Sequence, residues 1–106
     1  MNLNIRYKGF EGSDAVRQYV EDRSQKLTKF LPPTTTLNAT LADTKVARVA
    51  EINFHHNGVD FVAKNEAENL MTAIDEAMDK LLRQLSRTKD KKSDHGAGNK
   101  HEVVEE

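Results

Sequence analysis

Cysteine is absent from the 106-residue chain, which excludes a disulfide framework and any thiolate metal site. Long apolar runs are absent too. Nothing approaches the roughly 20 residues a membrane-crossing helix needs, and the N-terminus lacks a basic segment followed by an apolar one. The expectation is a soluble, cytoplasmic protein with no membrane partner. Aromatics are scarce, at 6%, and Tyr7 and Tyr19 read as partly committed to the core, so stacking on single-stranded bases is weakly supported. Apolar residues make up 37% and charged residues 31% of the chain; such a composition leaves a small core and points to a segment that stays outside the fold. Missing as well are a glycine-rich phosphate loop, a histidine spacing suited to zinc and a nucleophile elbow. His55 and His56 are neighbours on one strand and point to opposite faces, while His95 and His101 fall in the aperiodic C-terminal stretch, so no metal site forms from them. The carboxylate pairs Glu21-Asp22 and Asp75-Glu76 sit on exposed helix faces. The expectation is a protein without catalysis, cofactor or metal.

What the chain does have is charge in blocks. Its net charge is −1, yet residues 79–92 hold six basic and two acidic residues, a local +4, between acidic stretches of −3 over 64–78 and −3 over 93–106. A helix that is acidic early and basic late agrees with its own dipole, but the dipole accounts for two or three of these cations and not for six. A concentrated basic patch is the footprint of a polyanion partner.

The periodicities supply a frame for that patch. Asn2 to Lys8 alternates Leu3, Ile5 and Tyr7 against polar residues, the period of a half-buried strand. Ser13 is a helix N-cap with Asp14 in the first turn, and Val16, Tyr19, Val20, Leu27, Phe30 and Leu31 form an apolar stripe that Pro32-Pro33 brings to an end. A second strand follows from Thr36 to Leu41, then a turn at Asp43-Thr44-Lys45 and a third strand from Val46 to His56. Asn57-Gly58 between two strand-like runs signals a two-residue hairpin. Its register sets Phe54 opposite Phe61, Ile52 opposite Ala63, His55 opposite Asp60 and Glu51 opposite Lys64, with apolar pairs on one face and opposite charges on the other. Asn69 caps a last helix whose Leu70, Ile74, Ala77, Met78, Leu81, Leu82 and Leu85 recur at helical spacing. The order β-α-β-β-β-α implies a two-layer α+β domain over residues 1–92, with two helices packed on one face of a four-stranded sheet. Residues 93–106, without apolar periodicity, read as a disordered acidic tail.

Candidate phosphate-contacting residues are Arg17, Arg23, Lys26 and Lys29 on the first helix, and Lys80, Arg83, Arg87, Lys89, Lys91 and Lys92 on and after the second. With the helices side by side, these merge into one basic surface suited to phosphate contact and shape recognition of folded RNA. Arg23 projects near the edge of the apolar stripe, where packing of its stem against the core is an equal reading. Such a face fits a general double-stranded-RNA-binding protein or RNA chaperone not specific to ribosomes.

Several segments carry a family resemblance. The opening LNI, Lys8, the helix AVRQYVED-x-x-x-KL-x-KF, the NGV hairpin, and above all TAID, DKL and RQL ending in a lysine-rich run resemble the bacterial ribosome hibernation factors, in the short forms of the hibernation-promoting factor and ribosome-associated inhibitor A (protein Y) group. The resemblance implies a fold similar to double-stranded-RNA-binding domains, and binding to the small ribosomal subunit and its rRNA in the channel of messenger and transfer RNA. Occupancy there would block translation sterically under stress or in stationary phase. It also implies a monomer off the ribosome and no DNA partner, and it adds Lys8 to the rRNA-facing residues. The dimerisation domain of the long forms has no counterpart in the sequence, and the ending HEVVEE is similar to that of the inhibitor A subgroup, which goes with single inactive ribosomes. Met71 stands where many members have tyrosine and Leu82 where many have glutamate; neither difference removes a cation.

Overall fold

A computed structural model describes residues 1–90, with side chains up to Arg87. Strand β1 (Asn2–Lys8) leads to helix α1 (Asp14–Ser24) and a short 3-10 turn (Gln25–Leu27); β2 (Thr36–Asp43), β3 (Arg48–His56), β4 (Val59–Ala67) and helix α2 (Leu70–Asp90) follow. The sheet order is β1-β2-β3-β4. β1 runs parallel to β2, which is why a helical crossover separates them, and the other pairs are antiparallel.

The hairpin has the expected register. Asn57 (φ 53°) and Gly58 (φ 77°) both take the left-handed conformation that a type I′ turn requires, and His56 pairs with Val59, Phe54 with Phe61 and Ile52 with Ala63. Phe54 and Phe61 stack with centroids 5.0 Å apart. Leu37, Ala39 and Leu41 of β2 join Ala50, Ile52, Phe54, Phe61 and Ala63 in the core. Alternation sends Asn4, Asn38 and Asn53 to the opposite, open face, where Asn4 donates to Asn38 (3.3 Å) and Asn38 to Asn53 (3.4 Å).

α2 lies over β3 and β4, and α1 lies beside it. Its start is fixed by Asn69, whose side chain accepts from the Met71 N–H at 2.8 Å. Ile74, Ala77, Met78, Leu81 and Leu85 are buried, as the spacing predicts, while Leu70 and Leu82 are half-buried. Ala73 and Gln84 complete the buried face. Gln84, only 2% exposed, tolerates this position because its amide donates to the Val62 carbonyl at 3.2 Å.

Three boundaries differ from expectation, the first being β2, which runs on to Asp43 instead of ending at Leu41. α1 ends at Ser24, well before the prolines, because the chain tightens into i→i−3 bonds: Thr28 N–H reaches the Gln25 carbonyl (3.2 Å) and Phe30 N–H the Leu27 carbonyl (3.0 Å). The Ser24 and Thr28 hydroxyls donate to Glu21 and Gln25 carbonyls, each at 2.8 Å, and compete with helix propagation. Leu27 and Leu31 are nevertheless buried. β3 begins at Arg48 rather than Val46. Thr44 closes the preceding turn by accepting from the Val46 and Ala47 amides (3.2 and 3.0 Å) and donating to the Ala47 carbonyl (2.8 Å), which leaves Val46 87% exposed. Gly9 (φ 86°) is packed so closely on this turn that a Cβ there would meet the Asp43 carbonyl at 2.5 Å. The proposed tail, 93–106, lies outside the described residues.

Candidate nucleic-acid interface

Apart from Lys8, the basic residues divide into three groups. Lys8 projects with Arg6 from the open face of the sheet, since Leu3, Ile5 and Tyr7 take the helix-bearing face; it stands apart from the helical cations. Arg17 lies on the flank of α1 nearest the β1 edge, where it lines an open groove of about 840 Å³ with Asn2, Asn4 and Gln25. It makes a 3.5 Å ion pair with Glu21, one turn on.

Arg23 and Lys26 occupy the other flank, at the seam with α2. Arg23 Nε is 2.8 Å from Asp75 Oδ1, and its guanidinium carbon lies 4.7 Å from the centre of the Tyr19 ring. The Tyr19 hydroxyl donates to Asp75 Oδ2 at 2.7 Å, so tyrosine, arginine and aspartate form a closed triangle between the helices. Tyr19, and then Asp75, push the guanidinium's pKa above its ordinary value. Lys26 Nζ is 3.4 Å from Asp79 Oδ1, one turn further along α2. Both pairs are partly solvated, which keeps each of them weak.

The third group is the exposed ridge of α2. At 100° per residue, Glu76, Lys80, Arg83 and Arg87 fall within about 60° of one another on the flank above β4. Glu76 accepts from the Asn65 side chain, and Lys80 Nζ donates to the Lys64 carbonyl at 3.3 Å. Arg83 and Arg87 are exposed, and neither makes an ion pair among the described residues; the same holds for Lys29 after α1. The side chain of Lys89, and all of Lys91 and Lys92, lie outside the described residues.

The expected merging of two basic helix faces is therefore incomplete. On the α2 cylinder Asp75 and Asp79 lie between the seam and the Arg83/Arg87 ridge, an acidic strip separating two basic rows. The sequence reads Asp75 as exposed and Tyr19 as partly committed to the core; nothing local indicates that these two residues, 56 positions apart, meet. No cluster of three or more His, Cys, Asp or Glu side chains that could hold a metal occurs among the described residues. No helix among them is long and apolar enough to cross a membrane.

Comparison with known proteins places this arrangement. Residues 3–93 match the model of the sigma 54 modulation protein / S30EA ribosomal protein family. The ribosome hibernation promoting factor of Klebsiella oxytoca is 36% identical over 95 residues, 90% of this chain and all of that protein. The crystal structure of the Thermus thermophilus protein Y N-terminal domain superposes with a TM-score of 0.74 at 28% identity, covering 82% of this chain and 98% of that one. A ribosomal subunit interface protein from Coxiella burnetii shares the fold, with a TM-score of 0.71 at 24% identity over 85% of this chain and 99% of its own. The chain belongs to the sigma 54 modulation protein / S30EA ribosomal protein family, that of the bacterial ribosome hibernation factors.

Proposed function

We propose that this protein is a cytoplasmic, non-catalytic hibernation factor that binds the rRNA of the small ribosomal subunit in the channel of messenger and transfer RNA. There it blocks translation by occupying space, under stress or in stationary phase. Family membership supports the ribosome as partner. The observation that carries the phosphate-binding reading is the α2 ridge, where Arg83 and Arg87 stand one turn apart, exposed and without an acidic partner among the described residues, at the start of the +4 stretch of residues 79–92. Guanidinium groups so placed can bind phosphate bidentately without first leaving another anion. Lys29, also without an ion pair among the described residues, extends the set, whereas Arg17, Arg23 and Lys26 each begin in an internal ion pair. The fold presents a largely polar open sheet face on its other side and few exposed aromatics, which suits backbone and shape recognition better than base stacking.

Co-sedimentation with ribosomes in the presence of a large excess of an RNA duplex tests the reading. The protein is expected to stay with the ribosome. Quantitative transfer to the duplex would replace it with a general double-stranded-RNA binder.

A further inference from the structure

We infer that Asp75 and Asp79 make the basic surface selective, by withholding Arg23 and Lys26 from any polyanion that does not fit the seam between the helices. The inference deepens the functional reading above and rests on it for the identity of the fitting partner. Its basis is the order of charges across the helical layer: the seam cations Arg23 and Lys26, the strip Asp75 and Asp79, then the ridge Arg83 and Arg87.

A phosphate chain lying flat across both helices meets two carboxylates between two basic rows. At contact distance that repulsion is not removed by salt, because the Debye length is about 8 Å at physiological ionic strength. To use Arg23 or Lys26 such a chain must also compete with a carboxylate already 2.8 or 3.4 Å away. Arg23 is not lost to binding, however. A guanidinium has five donors in a rigid fork; its approach to Asp75 is at Nε, 2.8 Å from Oδ1, an ion pair without hydrogen-bond geometry at either atom. The Tyr19 ring and Asp75 together set the orientation of the group, and its side chain is 39% exposed. A partner that offers phosphates at the seam and the ridge in the right relative position can therefore gain an oriented Arg23, while one that matches only charge cannot. Asp75 is accordingly a positioning residue for Arg23 and a repulsive element against other polyanions, the pairing of attraction with rejection on which selectivity depends.

Asp75→Asn and Asp79→Asn, alone and together, separate this role from a structural one. Asparagine keeps the size of the side chain, and its oxygen can still accept from the Tyr19 hydroxyl. Binding to a generic RNA duplex and to purified ribosomes is measured over a salt series. The double variant is expected to bind the duplex more tightly and with a salt slope steeper by roughly 0.9 for each of the two freed cations, so that its affinity falls about tenfold more than wild type between 50 and 200 mM salt. Ribosome affinity is expected to rise less, so the preference for ribosomes over duplex shrinks. Tyr19→Phe, which keeps both carboxylates, is expected to leave the duplex slope at its wild-type value. An unchanged duplex slope in the double variant overturns the inference, as does an equal gain on duplex and ribosome, or a Tyr19→Phe slope that moves with the double variant. A wild-type protein with no preference for ribosomes would instead overturn the functional reading, and the duplex arm would still decide the role of the strip.

Discussion

The two helical segments, α1 with the 3-10 turn after it and α2, use their cations differently. On α1 and the 3-10 turn after it, Arg17, Arg23 and Lys26 are each held by a carboxylate, one within the helix and two across to α2. On α2, Arg83 and Arg87 have no such partner among the described residues, and Lys80 is tied only to a backbone carbonyl. The difference follows from where each helix buries its apolar side. α2 places a buried face from Ala73 to Leu85 on β3 and β4, which turns Lys80, Arg83 and Arg87 outward above β4 and Asp75 and Asp79 toward α1. α1 is shorter and only Val20 and Ser24 of its residues are buried, so its position relative to α2 depends more on the Tyr19, Arg23 and Asp75 triangle. Charge that fastens a helix and charge that awaits a partner can look alike in composition, and only the partner list separates them.

This contrast can be broken at its base by removing the apolar anchor of α2. Leu81 is fully buried, and Leu81→Ala is expected to cost about 2–5 kcal/mol, enough to abolish much of the stability of a domain this size; urea unfolding would measure it. A smaller loss is expected from Gly58→Val, about 1–3 kcal/mol, because a β-branched residue is strained at φ 77°. It acts through the β3–β4 hairpin under α2. Since nothing lies within 4 Å of a Cβ built at Gly58, the cost is conformational and not a clash, and a thermal melt showing no destabilisation would refute the turn assignment. The smallest effects sharpen the contrast within α1 and the turn that follows it. Lys29→Ala is expected to flatten the salt slope of ribosome binding by roughly 0.9, whereas Arg17→Ala, on the flank away from α2 and paired with Glu21, is expected to leave it within error. Equal slopes for the two variants would remove the distinction between them.

Much of the frame is legible because its determinants are local. Asn57-Gly58 encodes the turn in two residues, and alternation on either side then sets every pair from His56–Val59 back to Arg48–Ala67. The buried face of α2 repeats over several turns, so one polar member, Gln84, escapes notice without shifting the phase. The end of α1 is less legible, because two prolines make an evident stop while the earlier change to i→i−3 bonding rests on the Ser24 and Thr28 hydroxyls. The start of β3 is set in the same way by a single threonine side chain. In the candidate site the cations were legible as residues and their states were not. Whether Arg23 faces solvent or Asp75 depends on how α1 settles beside α2, a relation between segments some 50 residues apart that no local pattern records.

The most direct test of the α2 ridge as the phosphate-contacting surface is the binding of Lys80→Ala/Arg83→Ala/Arg87→Ala to small ribosomal subunits across a salt series. None of the three residues belongs to the buried core; stability should change by less than about 0.5 kcal/mol at each of the exposed Arg83 and Arg87 and by about 1 kcal/mol at half-buried Lys80, which loses its bond to the Lys64 carbonyl, and a parallel melt checks this. The account predicts a salt slope flatter than wild type by roughly 2.7, equivalent to a fall in affinity between 50 and 200 mM salt about forty times smaller. A folded triple variant with the wild-type affinity and the wild-type slope would contradict it.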